Sequence, residues 1–373
     1  MTGVHAMNVT TMKLTTERND RMKTMTSSPD TIAPTRLREC KHGLVFWTTR
    51  VLLGLLTLII GLAALGASYQ ALATATDKRT YTPPGQLVDV GGYRLHLYCT
   101  GANLNGRPTV ILEQSAGGFA LNWFLVQPQV AKLTRVCAYD RAGLGWSEPG
   151  MQPRNGQAIA KDLHTLLHRA GIGGPYVLAG HSYGGLLVRA YAVQYPDEVA
   201  GLVLLDAAHP DEWTRTPQGQ ATYQQDSQNY AIARYVARLG VLRLVSIPFT
   251  TTPAALSTQQ QAEYRALTRT TQYWDSVAAE SRAIGETMAL VRDASLGDLP
   301  LMVVTAGNNL TNLDGHWAMY QRELAALSTN SVHKVVEGAD HASLWADPNY
   351  AVPSSAAIVQ VVEAARTAQP LAR

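Results

Sequence analysis

The chain has 373 residues, 46% of them hydrophobic and 16% charged, with a net charge of +3. That length suffices for one large domain with an insertion, and the small charge, with no basic stripe interleaved with aromatics, excludes a nucleic-acid partner. Three cysteines, Cys40, Cys99 and Cys137, are too few for a disulfide scaffold, and the absence of C-x-x-C excludes a zinc-type motif.

Residues 1–43 are expected to form a disordered basic tail: Thr, Met, Asn and Ser dominate 1–35, and Arg36, Arg38 and Lys41 follow. Residues 44–75 read as a transmembrane anchor. Val51–Ala73 carries no charge, and at 1.5 Å per residue such a run reaches about 30–35 Å, enough to cross a bilayer. Phe46, Trp47 and Tyr69 suit the aromatic belts at the two interfaces. Basic residues gather mostly ahead of the span, which puts the N-terminus in the cytoplasm and the rest of a single-pass protein outside. The alternative is a secreted product, cut after Ala71-Leu72-Ala73 or Ala73-Thr74-Ala75. The long stretch ahead of the span disfavours it.

Thr82-Pro83-Pro84-Gly85 links the anchor to the body. Gln86–Val90 and Tyr93–Cys99, separated by Gly91-Gly92, read as a β-hairpin. Thr109–Leu112 and Arg135–Tyr139 are further strands, and Gln157–Ala170 has helical periodicity ended by Gly171-Ile172-Gly173-Gly174-Pro175. Strands follow at Tyr176–Ala179, Gly201–Leu205, Leu299–Thr305 and Val332–Val336, with helices at Leu186–Gln194 and about Ser354–Thr367. Strands alternating with helices imply a largely parallel sheet covered on both faces. Residues 210–296 break the alternation. Helical periods at Tyr230–Leu239 and Gln259–Leu290 mark a helical cap over the carboxyl ends of the strands, where substrate would be held.

Gly180-His181-Ser182-Tyr183-Gly184-Gly185 lies between a strand and a helix. G-x-S-x-G in that setting is a nucleophile elbow: a sharp turn presents Ser182, and the following helix points N–H groups at it. A turn serine that bonds only its own backbone is the bland alternative.

This stretch, Asp140-Arg141-Ala142-Gly143-Leu144-Gly145-Trp146-Ser147, Leu202–Asp206 with Ala-Ala-His-Pro behind it, and Gly338-Ala339-Asp340-His341 together resemble the α/β-hydrolase superfamily over about residues 81–370. Bacterial membrane-attached members are the most similar kind. The resemblance implies a mostly parallel eight-stranded sheet flanked by helices, with core parts 76–209 and 297–373 around the cap. It also implies that the second strand runs antiparallel beside the fourth, bringing Cys99 and Cys137 together. In an oxidising compartment those two would form a disulfide; a pair of buried free thiols is the other reading.

The resemblance makes Ser182 the nucleophile and His341 its base. His164 and His168, four apart on one helix, read as a solvated face rather than a metal site. The acid has two candidates. Asp206 ends the strand after the nucleophile, and Asp314 lies beyond Ala306-Gly307-Asn308-Asn309, where many members carry an acid and this chain has asparagine. The oxyanion hole would use the N–H groups of Tyr183 and Ala116, the latter in Gln114-Ser115-Ala116-Gly117-Gly118, where the family has His-Gly-x-Gly. Asp140–Ser147 reads as a structural turn. The implied activity is carboxylic ester hydrolysis through an acyl-enzyme on a small-molecule ester or acyl substrate, with no metal or organic cofactor. Serine at the elbow argues against dehalogenase and epoxide hydrolase chemistry, which needs a carboxylate there. Aminopeptidase-like, C–C hydrolase and perhydrolase activities use the same residues, and a non-catalytic ligand-binding protein is the alternative outside the enzyme class.

Overall fold

The computed structural model describes residues 36–104, 106–245, 251–312 and 315–372, with side chains from Gly43 onward. Asp314 and the tail 1–35 lie outside the described residues. Two compact units are present, Met1–Leu58 and Ile59–Arg373. The first, where described, is the opening part of helix α1 (Arg36–Thr80), and its large apolar side chains from Leu44 to Leu58 are exposed. Gly43–Thr80 is long and apolar enough to cross a membrane.

In the second unit eight described strands form one sheet in the order β1-β2-β4-β3-β5-β6-β7-β8. They are β1 (Gln86–Asp89), β2 (Arg94–Thr100), β3 (Thr109–Glu113), β4 (Val136–Tyr139), β5 (Tyr176–His181), β6 (Val199–Leu205), β7 (Leu301–Ala306) and β8 (Ser331–Val336). β1 pairs antiparallel with β2 and β2 with β4; every other pairing is parallel. The Gly91-Gly92 turn is closed by Asp89, whose carboxylate accepts from both glycine N–H groups.

The central strands β3, β5 and β7 are buried at every residue, as continuous apolar runs between two helical layers require. Successive side chains go to opposite faces. Val110, Leu112, Val177 and Ala179 pack under helix α10 (Pro348–Thr367), with α2 (Gln127–Val130) and α9 (Ser343–Ala346) on the same side. Ile111, Leu178, Leu202 and Leu204 pack under α3 (Gly156–Arg169) and α4 (Tyr183–Gln194). Helix α10 starts six residues before the sequence expectation, because Asp347 caps it through the Asn349 N–H and Pro348 is tolerated in the first turn.

The cap comprises α5 (Pro217–Arg238), α6 (Thr258–Thr268) and α7 (Thr271–Val291). The single period expected over 259–290 is two helices, because the Thr270 hydroxyl caps α7 by accepting from the Tyr273 N–H. Helix α8 (His316–Ala325) follows β7 and has no counterpart in the sequence expectation. Ile284, Met288 and Val291 of α7 pack on Tyr183, Leu186 and Leu187 of α4, seating the cap above the elbow.

Cys99 and Cys137 are cross-strand partners between β2 and β4 and are joined as a disulfide.

Candidate active site

Ser182 sits between β5 and α4 with φ +54° and ψ −123°, the strained conformation of an elbow tip. The turn is possible because Gly180 and Gly184 carry no side chain. A Cβ on Gly180 would lie 2.4 Å from the Gly184 carbonyl oxygen, and one on Gly184 would lie 2.5 Å from that of Glu113. Ser182 N–H donates to Leu205 O at 3.1 Å, and its carbonyl accepts from Gly185 and Ala208, so the elbow is fixed both to β6 and to the loop beyond it.

Asp206 lies at the end of β6, also at positive φ (+42°), and is fully buried. Its carboxylate accepts four hydrogen bonds. Oδ1 receives the Ala306 N–H at 3.1 Å and the Trp317 indole N–H at 2.9 Å. Oδ2 receives Asn309 Nδ2 at 2.5 Å and stands 2.6 Å from His341 Nδ1. Burial alone would raise this carboxyl, but the hydrogen bond and charge of His341, with the Trp317 and Ala306 donors, outweigh it and hold the pKa below the usual value.

His341 is thus oriented by Asp206 through Nδ1, and its Nε2 makes no hydrogen bond among the described residues. Asp340, unusual before this histidine, is absorbed locally: its carboxylate accepts from Asn308 and its N–H donates to Ser343 Oγ. His181 stands apart from proton transfer. It is buried between Gln114 Oε1 (3.1 Å from Nδ1) and the His341 carbonyl (2.9 Å from Nε2). Burial, followed by the nearby His341, drives its pKa down to about 3.

Ala116 and Tyr183 line one cavity of about 170 Å³ with Ser182. Neither N–H donates to a protein acceptor among the described residues. The shape of the Ala116 loop is set by Arg141, which is buried and hydrogen-bonds the carbonyls of Gln114 (2.9 Å) and Ser115 (2.9 Å). The same guanidinium pairs with Glu113 of β3 and Glu280 of α7 at 2.7 and 2.8 Å. Burial would lower the Arg141 pKa, but the charges of Glu280 and Glu113 more than reverse that. Asp140, beside it, accepts from the Ala120 and Trp146 N–H groups and meets His96 Nδ1 at 2.8 Å. The Asp140–Ser147 segment therefore supports the site without reaching into it.

His341 lines a neighbouring cavity of about 520 Å³ that shares Glu212 and Trp213 with the Ser182 cavity. The Ser182 hydroxyl makes no hydrogen bond among the described residues, so its link to His341 is open in this structure. Such links often close only when substrate binds. Four contributors are invisible in the sequence pattern: Trp317 and Asn309, which hold Asp206; Glu280, which reaches Arg141 from 139 positions away; and Glu212. The last is buried and accepts from the His209 N–H, and desolvation pushes its pKa up to about 8. The Asp140-Arg141 pair was the available signal for a buried guanidinium; nothing local marks its partner.

The model for the alpha/beta hydrolase fold matches residues 108–348. An uncharacterized protein of Schizosaccharomyces pombe is 26% identical over 301 residues, covering 70% of this chain and 53% of that protein. The chain thus spans about half the length of that curated relative. Among solved structures, a Pseudomonas aeruginosa protein provisionally named an epoxide hydrolase superposes with a TM-score of 0.62 at 16% identity, over 75% of this chain and 96% of that one. A thermophilic esterase from Thermogutta terrifontis gives a TM-score of 0.54 at 21% identity, over 75% and 98%. At such identities the superpositions speak for the fold. The chain belongs to the α/β-hydrolase fold family.

Proposed function

We propose that the protein is a membrane-anchored serine hydrolase that cleaves carboxylic esters through an acyl-enzyme. The observation that carries this reading is the buried, four-bonded Asp206 carboxylate 2.6 Å from His341 Nδ1, with Ser182 on a strained elbow nearby. Ser182 Oγ attacks the ester carbonyl while the free ring nitrogen of His341 takes its proton. Asp206 fixes the imidazole and balances the imidazolium. The negative oxygen of the tetrahedral intermediate rests on the Tyr183 and Ala116 N–H groups, with the dipole of α4 behind Tyr183. His341 then protonates the departing alcohol, and water, activated by the same ring, releases the acid. The presence of serine, not a carboxylate, at the elbow favours this over epoxide opening. Asp206 is the acid of this scheme, with Asp314 the alternative.

Helix α1 serves as a single-pass anchor with the catalytic domain outside the cytoplasm. The Cys99–Cys137 disulfide suits that compartment.

One observation favours the aminopeptidase-like alternative. Glu212 and Asp226 both line the Ser182 cavity, beside Trp213 and Tyr223, and an ammonium group would suit the aromatic wall and would favour the charged form of both carboxyls against the burial that raises their pKa values. Side-by-side rates on a short-chain aryl ester and an aminoacyl anilide separate the two.

The experiment for the main reading is fluorophosphonate labelling of the detergent-solubilised protein. Wild type should label and Ser182→Ala should not. A folded wild type that neither labels nor cleaves an aryl ester would leave the ligand-binding alternative standing.

A further inference from the structure

The anchor helix and the cap are locked together by a polar clamp in the second unit. Gly66 permits contact so close that a Cβ there would lie 2.4 Å from the Leu239 carbonyl oxygen. One turn on, Gln70 is buried; its Nε2 donates to the Arg269 carbonyl at 2.8 Å and its Oε1 accepts from Arg243 Nε at 2.8 Å. Arg243 also donates to Thr74 Oγ1 at 3.0 Å and to Asp77 at 2.7 Å. Positions 66, 70, 74 and 77 share one helical face, so the cap docks along that face, while Leu65 and Leu72 beside it stay exposed.

This docking begins inside the apolar run. Gly66 lies seven residues before Ala73, about 10 Å along the helix axis at 1.5 Å per residue. The cap edge carried there is itself apolar and uncovered: Leu244 is 76%, Tyr235 63%, Ile232 61% and Val245 46% exposed. Arg234 and Arg238 flank the Tyr235 ring at 5.3 and 5.8 Å. Aliphatic side chains with a Tyr and Arg rim are what a bilayer interface takes up, to a depth of about 5–10 Å.

We propose that the cap edge formed by the end of α5 and the turn Val241–Arg243 is a second membrane-contact surface, seated in the headgroup and upper acyl layer of the leaflet that α1 leaves. The occupant is lipid bilayer. This seat rests on α1 being a membrane anchor, which the test separates from it.

The full chain carrying Cys40→Ser is reconstituted in phosphatidylcholine vesicles containing phosphatidylglycerol. An environment-sensitive fluorophore is attached in turn at Leu244→Cys, at Leu62→Cys in the middle of the apolar run, and at Met151→Cys in an exposed loop. The 244 probe should be blue-shifted, lose emission to a lipid nitroxide near the headgroup, and resist aqueous iodide, while the 151 probe shows the reverse. A lipid-quenched 62 probe with an iodide-quenched 244 probe would overturn the seat and spare the anchor. Iodide quenching at both 62 and 244 would overturn the anchor and the seat together. Retained fluorophosphonate labelling in each variant reports separately on the hydrolase reading.

Discussion

The indole N–H of Trp317 donates to Asp206 Oδ1 at 2.9 Å, leaving Oδ2 for His341. Oδ1 is thus held wholly by the scaffold, while Oδ2 is shared between the imidazole and Asn309 Nδ2. Trp317→Phe removes a donor to an ionised group without emptying the space. Asp206 then holds its proton to a higher pH, and the acid limb of the kcat/KM profile on an aryl ester moves upward. A profile unchanged in its acid limb would contradict the assigned role.

Asp206→Asn keeps the shape but loses the charge that balances the imidazolium. Fluorophosphonate labelling and ester turnover should fall about 10³–10⁴-fold, with near-ultraviolet circular dichroism retained. Asp314→Asn should stay close to wild type. The reverse ranking would transfer the acid to Asp314.

Arg141→Gln leaves Glu113 and Glu280 buried without their cation and frees the Gln114 and Ser115 carbonyls. Breaking a buried pair by removing one partner costs about 3–5 kcal/mol. Denaturant unfolding should show a loss of that order, with turnover reduced as the Ala116 loop relaxes. A loss below about 1 kcal/mol, the range of exposed pairs, would mean that the network is not needed.

Glu212 gives stability an unusual pH dependence. Its folded pKa is raised from 4.5 to about 8 by burial, so the folded state keeps a proton that the unfolded chain has released. The stability it contributes is complete below about 4.5 and is lost as pH rises through about 8. Glu212→Gln cannot ionise and should gain on wild type steadily across that window, by a few kcal/mol at most. Parallel melting curves at pH 5 and pH 8 measure it, and equal gaps at the two would refute it.

The Cys99–Cys137 bond closes a loop of sequence separation 38, for which chain entropy predicts a stabilisation of about 4 kcal/mol. Reductant, or Cys137→Ser, should lower the unfolding midpoint of the purified protein accordingly, and mass mapping without reductant should find the Cys99 and Cys137 peptides joined.

Sequence alone carried much of this architecture because local rules dominate there. Buried parallel strands are continuous apolar runs, and a strand, a glycine-flanked serine and a helix admit few conformations. Ser182, His341 and Asp206 stood out through position relative to strands. The supporting shell did not, since its partners are far apart in sequence. The turn Ala306-Gly307-Asn308-Asn309 reads as lacking an acid, yet its Asn309 donates to the carboxylate just beyond the previous strand. Helix α8, which delivers Trp317, has no counterpart in the sequence reading even though it buries Trp317, Tyr320, Gln321 and Leu324 at helical spacing. Gln70 looked like one polar residue in an apolar run, and its partner Arg243 lies 173 positions away.

Glu280 of α7 and the Ala116 loop share one guanidinium, and α7 buries eleven of its residues while α5 buries two. The cap is therefore fastened, not floating. Its α7 side is fastened to the Ala116 loop through Arg141, and the turn after α5 is tied to helix α1 through Arg243. The beginning of α5 is held as well: Gly219 is buried against the Glu212 carbonyl, Arg215 just ahead of the helix pairs with Asp211 and Glu323, and Trp213 stacks on Tyr223 at 5.0 Å.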